Sequence, residues 1–447
     1  MSLARFSFLL AAPLVVACSS EAPTLQLDIV TGHETDAMTQ EPAVARVEVE
    51  GTTPEGEVVS AEAEPGGELD FGEVDGELAY TFEVTGFDGP GNVVLRGRSI
   101  AGIVLTGVEG GTVPIFAQRL GQWARPPGEL PHTHTRAQAV SVGERYLLTT
   151  GGDTSADAAK SVEYDLFALA AASGTTFPFA AETLVSFVDR ALAVAGDEAR
   201  WLSADGLQEP TPVEGLTWSE LAGGAALYAP DGRLFLVGAT RPTAETDAVL
   251  EISADEETVS VRRLAFPRAG AAAAWLQDVG LVVIGGRATD QGVEVLAEEG
   301  TTFAVRDFPT DPTTGAAAVP NNLGTLTLVG GALGDAAAPT RLLDPRCTSD
   351  CTVDDVADAT PGPALTRTSA FVLEAGRPEL IVIGDDPDGA TRTFIVDYLG
   401  LTAAELPLRE PRRGATPVAA PNGTLALMGG THPDGTPALT VEMFFPE

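Results

Sequence analysis

An all-β fold in two domains, the larger a seven-bladed β-propeller, is predicted for this 447-residue chain by three observations. First, a short apolar run stopped by glycine recurs seven times, its first glycine at Gly151, Gly196, Gly238, Gly285, Gly330, Gly384 and Gly429. The intervals are 45, 42, 47, 45, 54 and 45 residues, the period of propeller blades made of four-stranded sheets. Second, the 44% apolar content is heavy in Ala and Val and comes with 49 Gly and 32 Pro, a balance that suits short strands and turns better than long helices. Third, the region before the repeats alternates apolar and polar residues at period two. The length exceeds one ordinary domain and allows a large core.

In chain order, Arg5 precedes about a dozen apolar residues, fewer than the roughly 20 a membrane-spanning helix needs, so residues 1–17 read as a signal peptide. Its end, Val15-Val16-Ala17-Cys18-Ser19, resembles the lipobox of bacterial lipoproteins. The resemblance implies Cys18 as the lipidated mature N-terminus, whose several acyl chains together give stable anchoring. Position 19 is Ser rather than Asp, which by resemblance to enterobacterial sorting implies the outer membrane of a Gram-negative bacterium, facing periplasm or cell surface. Residues 18–23 are a tether, and no later segment approaches transmembrane length.

Over 24–117 the strands expected are 25–29, 44–49, 58–63, 68–71, 80–84, 93–98 and 104–116, separated by Gly-rich turns. Seven strands in this length suggest an immunoglobulin-like or transthyretin-like β-sandwich, without the Cys-Trp-Cys core of true immunoglobulin domains. Such a module serves as spacer or binding platform. His33, Glu34 and Asp36 read as a solvated polar loop.

Residues 118–447 carry the repeats. Four stops are glycine pairs, at Gly151-Gly152, Gly285-Gly286, Gly330-Gly331 and Gly429-Gly430, while Gly196, Gly238 and Gly384 stand alone. A strand of small residues comes first in each unit, as in 271–275, 316–319 and 415–418, as crowding near a propeller axis requires. Asp231-Gly232 and Asn422-Gly423 supply tight-turn chemistry before the glycine-stopped strand. A third strand follows, as in 161–165, 293–296 and 440–444, and then a fourth, as in 259–262 and 303–306. The last unit ends after its third strand, so the segment 118–123 is the expected donor of the missing fourth. The apolar run, the glycine pair and Tyr164 or Tyr398 resemble the kelch repeat over about 320 residues, although three pairs are broken and most of the regular Tyr and Trp are absent. In an exported chain Cys347 and Cys351 read as a disulfide, inside the one long interval.

The net charge is −38 and Lys160 is the single lysine, so a polyanion meets repulsion and nucleic acid is not an expected partner. The glycine pairs lack the Gly-Lys-Ser/Thr context of a phosphate loop; they read as backbone geometry. A kelch-type propeller beside a sandwich resembles galactose oxidase, which implies a copper centre of two histidines, two tyrosines and a tyrosine-linked cysteine. His33, His132, His134 and His432 are the only histidines and all three cysteines have other roles, so that site does not carry over. His132 and His134 stand two apart, which on a strand points both rings one way. With His432 from the last unit they are the weak candidates for a metal; exposed loop histidines are the reading preferred here. Ser203-Ala204-Asp205-Gly206 is not an Asp box, Asp385-Asp386-Pro387-Asp388-Gly389 lacks the spacing of a calcium loop, and no Gly-x-Ser-x-Gly elbow occurs. The sequence therefore predicts no catalytic residue, cofactor or bound metal. It describes a monomeric, lipid-anchored envelope protein that binds a protein or glycan through its propeller. The alternative is a carbohydrate-active enzyme of mutarotase or glycan-processing type, with its site in the propeller mouth. Cys18→Ala is expected to abolish incorporation of labelled fatty acid and to release the protein from membranes; continued lipidation would refute this reading of the amino terminus.

Overall fold

A computed structural model describes residues 25–446 apart from 109–111, 154–156, 256–257, 288 and 291. Cys18, the expected signal peptide (1–17) and the tether lie outside the described residues. The first domain contains β1 (Gln26–Val30), β2 (Arg46–Thr52), β3 (Val58–Ala63), β4 (Ala79–Phe87), β5 (Val93–Arg98), β6 (Ile103–Val104) and β7 (Thr112–Arg119). Val47, Val49, Tyr80, Phe82, Val84, Leu95, Val113 and Ile115 share one core, the apolar face that period-two alternation requires.

The pairing runs through one connected sheet, β1-β7-β5-β4-β2-β3, with β6 on β4. The two separate sheets of the expected sandwich are not what this pairing gives. The cause is β7, whose residues 112–116 pair parallel with β1 while 117–119 pair antiparallel with β5. The expected strand at 68–71 does not form. Gly66 and Gly72 take positive φ on either side and Asp70 accepts a hydrogen bond from the Gly72 amide, so turn chemistry overrides the alternation.

The remaining described strands form seven sheets, blades 1 to 7, spanning 138–176, 183–208, 225–268, 272–306, 314–356, 366–405 and 416–444. The protein is thus all-β with a seven-bladed propeller. The small-residue segments at 271–275, 316–319 and 415–418 belong to the first strands of their blades. The first strand of blade 7 (Thr416–Ala419) lies against that of blade 1 (Gln138–Val142), which closes the ring. Each first strand pairs on one side only, so its other edge faces the axis; Gln138–Val142 is half-exposed along its whole length. The unpaired N–H and C=O groups of these edges line an axial channel.

The second strands are buried on both faces between blades, as in Leu234–Val237, Gly280–Ile284 and Leu425–Met428, which is why they are continuously apolar. Five of the seven end at the glycine, while Leu326–Leu333 and Glu379–Asp385 run through it. Gly151 has φ of 81°, and a Cβ there would stand 1.9 Å from the Ala181 carbonyl oxygen, so conformation and space both demand glycine. The lone glycines Gly238 and Gly384 do not have positive φ, because a 3₁₀ turn (Gly238–Thr240) and strand continuation (Glu379–Asp385) replace the sharp stop. Cys347 and Cys351 form the disulfide, Cα–Cα 5.7 Å, between the third and fourth strands of blade 5.

Blade 7 contributes three strands. Its fourth place is taken by an antiparallel bridge between Ala124 and Met443, with N–H···O contacts of 2.9 and 2.7 Å. The donor is shorter than the sequence suggests and lies one residue beyond it, since Gln118 and Arg119 end β7. Beside the bridge, Trp123 is fully buried, packs on Phe444 at 5.6 Å and donates its indole N–H to Thr393 Oγ1 at 3.2 Å. Trp123→Ala should lower stability by about 3–5 kcal/mol in chemical denaturation; a loss under about 1 kcal/mol would show that closure does not depend on this side chain.

Candidate functional site: the open rim of the propeller

Chain direction within a blade sorts the connections onto two faces. Links from first to second and from third to fourth strands lie on one face; links from second to third strands and between blades lie on the other. The first domain sits against the former, and beside the seam its Glu34 also reaches Arg409 of the link between blades 6 and 7 at 3.8 Å. Asn422, in the first turn of blade 7, donates to the Arg98 carbonyl at 3.2 Å, and Phe167 of blade 1 packs on the core of the first domain. The second face is the open rim, where the glycine stops gather.

Beneath this rim the backbone carbonyls at the glycine stops need donors. Arg268 donates to the carbonyls of Gly285 (2.8 Å) and Gly292 (3.0 Å) and pairs with Glu294 at 3.0 Å, both side chains wholly buried. Arg412 reaches the Thr440 carbonyl at 2.9 Å and Glu442 at 2.9 Å, again wholly buried, with Gly429 O at 3.4 Å. Burial pushes the Arg412 guanidinium down and the Glu442 carboxyl up, each toward neutrality. Charge-assisted bonds oppose that drift: Glu442 also accepts the amides of Arg409 and Glu410.

Each arginine stands 17 positions before its glycine, 268 before 285 and 412 before 429. The same offset from Gly151 falls on His134, whose Nδ1 is 3.1 Å from the Gly151 carbonyl. Since a carbonyl only accepts, Nδ1 carries the proton and Nε2 is the bare nitrogen. In blade 5 the charges exchange sides: Arg341, on the third strand in the register of Glu294, pairs with Asp311 at 2.7 Å. Sequence reading missed these pairs, although Pro267-Arg268 and Pro411-Arg412 at one offset from a glycine pair are a legible signal.

His134 is buried, 3% exposed, contrary to the exposed loop expected, because its segment enters the ring seam: the Gly430 amide donates to the His134 carbonyl at 2.7 Å. His132 lies beside it, ring centroids 5.1 Å apart and edge to face. His432 does not join them; its Nδ1 meets the Pro411 carbonyl at 3.3 Å and its Nε2 is 4.0 Å from Glu410. Among the described residues no group of three or more His, Cys, Asp or Glu is placed to hold a metal ion. Glu34 is also not solvated: it is 9% exposed and pairs with Arg125 at 3.0 Å, and Arg125 continues to Glu410 of the seam at 2.5 Å. Asp386 folds 385–389 into a turn by accepting the amides of Asp388 and Ala390.

At the channel mouth, six residues at or near the start of a first strand take positive φ: Arg136, Gly223, Gly270, Gly315, Arg367 and Gly414. Backbone bonds link several of them between blades, with Arg136 N to Gly414 O at 2.6 Å and Gly315 N to Gly270 O at 2.8 Å. Here the rim is held by main chain rather than by side-chain packing.

No family model matches the chain, and no curated protein does. Among solved structures it is similar to one described as YCF48 bound to D1 peptide, with a TM-score of 0.47 and 10% identity, over 73% of this chain and 95% of that one.

Burial outweighs the nearby Asp157 carboxylate and holds the His134 pKa below its usual 6.5, and His132 shifts the same way. The unfolded chain then takes up protons first, so stability is full above about pH 6.5 and falls as pH drops toward the folded pKa. Melting temperature is expected to decline between pH 7 and 5, and His134→Gln to flatten that decline; an unchanged slope would remove His134 as its source.

Proposed function

We propose that the protein is a lipid-anchored component of the bacterial outer envelope that binds a protein or glycan partner through the open rim, without catalysis. One observation carries the reading: the first domain occupies the opposite face of the propeller, which leaves the rim and channel mouth as the broad accessible surface. In this reading the first domain, whether or not it is grouped as a sandwich, spaces the rim from a membrane held through Cys18. The blades are kelch-like in their glycine-stopped second strands. Two tyrosines at or just beyond the ends of third strands also stitch neighbouring segments: Tyr164 donates to the Pro127 carbonyl at 2.8 Å and Tyr398 to Asn322 Oδ1 of blade 5 at 2.7 Å.

Leu333 and Leu323 provide a paired test, since both are exposed and belong to blade 5 but lie on opposite faces. A photo-crosslinking amino acid at position 333 is expected to give a discrete adduct in cells, and the same group at 323 none. Adducts from 323 alone would place the partner on the wrong face for this reading. Turnover of sugars by the purified protein would replace binding with the carbohydrate-active alternative.

A further inference from the structure

The six left-handed positions at the channel mouth are not filled alike. Blades 3, 4, 5 and 7 use glycine there, whereas blade 1 uses Arg136 (φ 56°) and blade 6 uses Arg367 (φ 51°). A residue with a Cβ is strained in this conformation and glycine is not, so glycine is the better answer for the fold alone. Backbone strain at a binding surface is accepted where the side chain serves another purpose.

The two arginines flank blade 7, whose own entry carries a third, Arg413, just before Gly414. Arg136 runs across that entry: its amide bonds to Gly414 O at 2.6 Å, and its Cγ lies 3.1 Å from where a Gly414 Cβ would stand. Arg367 is fixed, with Nη1 on Asp385 at 2.9 Å and Nη2 at 3.3 Å from Thr416 Oγ1 and 3.4 Å from the Ala137 carbonyl. Arg136 is half-exposed, and its one ion-pair partner among the described residues is Asp153, at 3.7 Å. Arg413 is exposed and its side chain has no partner among the described residues. Main-chain contacts thus bring three arginines to one stretch of the mouth, two of them with donors to spare and one already neutralised, on a chain whose net charge is −38.

That combination selects one ligand chemistry. The surrounding negative field disfavours a polyanion, while forked donors carried on one stretch of the rim favour a single carboxylate. Around them the rim offers Gly389 and Thr431 and the unpaired edges of the first strands, which suit an extended peptide better than a sugar ring seeking an aromatic platform. We propose that Arg136, Arg367 and Arg413 form a carboxylate site at the channel mouth that takes an Asp or Glu side chain on an extended segment of a partner protein. The proposal rests on the reading of the open rim as the binding face and narrows its partner to a protein.

The test uses the purified full chain at low salt and an acetylated, amidated Gly-Ala-Asp-Gly-Ala peptide, with its Asn counterpart as control, followed by NMR or calorimetry. The Asp peptide is expected to bind at least about tenfold more tightly than the Asn peptide, a difference on the scale of one charge-assisted contact. Arg413→Gln and Arg136→Gly should each remove most of that preference. Arg136→Gly should at the same time raise the melting temperature, by about 1–3 °C, because it relieves the left-handed residue. A lowered melting temperature with no peptide preference would make these arginines structural and overturn the proposal, as would binding of glucuronate without the peptide. If the peptide fails while position 333 still crosslinks, the carboxylate site falls and the binding face stands; if neither gives a signal, both fall.

Discussion

A ring of blades is only as secure as the seam where its ends meet, and here the seam is unusually slender. A two-bond bridge between Ala124 and Met443 and one further bond, from the Leu130 amide to the Leu439 carbonyl at 2.8 Å, stand where other blades have a fourth strand. Packing and charge supply what the ladder lacks. Trp123 fills the gap against Phe444, Arg409 donates to the Trp123 carbonyl at 2.6 Å, and the Arg412–Glu442 pair lies wholly buried on the same blade. The Glu34–Arg125–Glu410 chain of contacts joins this seam to the first domain. Ring closure and domain docking therefore share residues, and a change at the seam is felt by both.

The buried ion pairs answer a need created by the glycine stops. A strand that halts in left-handed backbone turns its carbonyl away from the ladder, and a buried carbonyl without a donor costs about 1–3 kcal/mol. Arg268 and Arg412 meet the need by bringing in a charge, which then requires Glu294 and Glu442. In blade 1, His134 does the same neutrally and has Val162 opposite, with no carboxylate called for. In blade 5 the arginine moves to the third strand. The repeat conserves the task within one molecule while varying the chemistry that performs it.

Much of the fold was legible because it rests on local rules. The apolar runs, their glycine stops and the small residues of the first strands recur at a blade period, and Cys347 and Cys351 are four residues apart. The first domain was read less well. Its alternation revealed strands, but the partner change along β7 depends on which neighbours lie beside each half, and 68–71 became a turn between two glycines. His134 and Glu34 were assigned to solvent because nothing in their immediate neighbours says that another part of the chain covers them.

The sequence by itself determined the number of blades, their strand order and the position of the break in the ring, since these follow from periodicity and from side chains that suit a strand or a turn. Only the tertiary structure decided which arginines are buried and which face the channel mouth. Arg268 and Arg412, each entering a blade from the one before, sink toward carboxylates on its third strand, whereas Arg136, Arg367 and Arg413 share one side of the mouth because closure brings blades 6, 7 and 1 side by side. The physical reason is distance along the chain: a local pattern can fix φ and hydrophobicity, but the solvation and partners of a charge depend on residues that become its neighbours only when the ring closes.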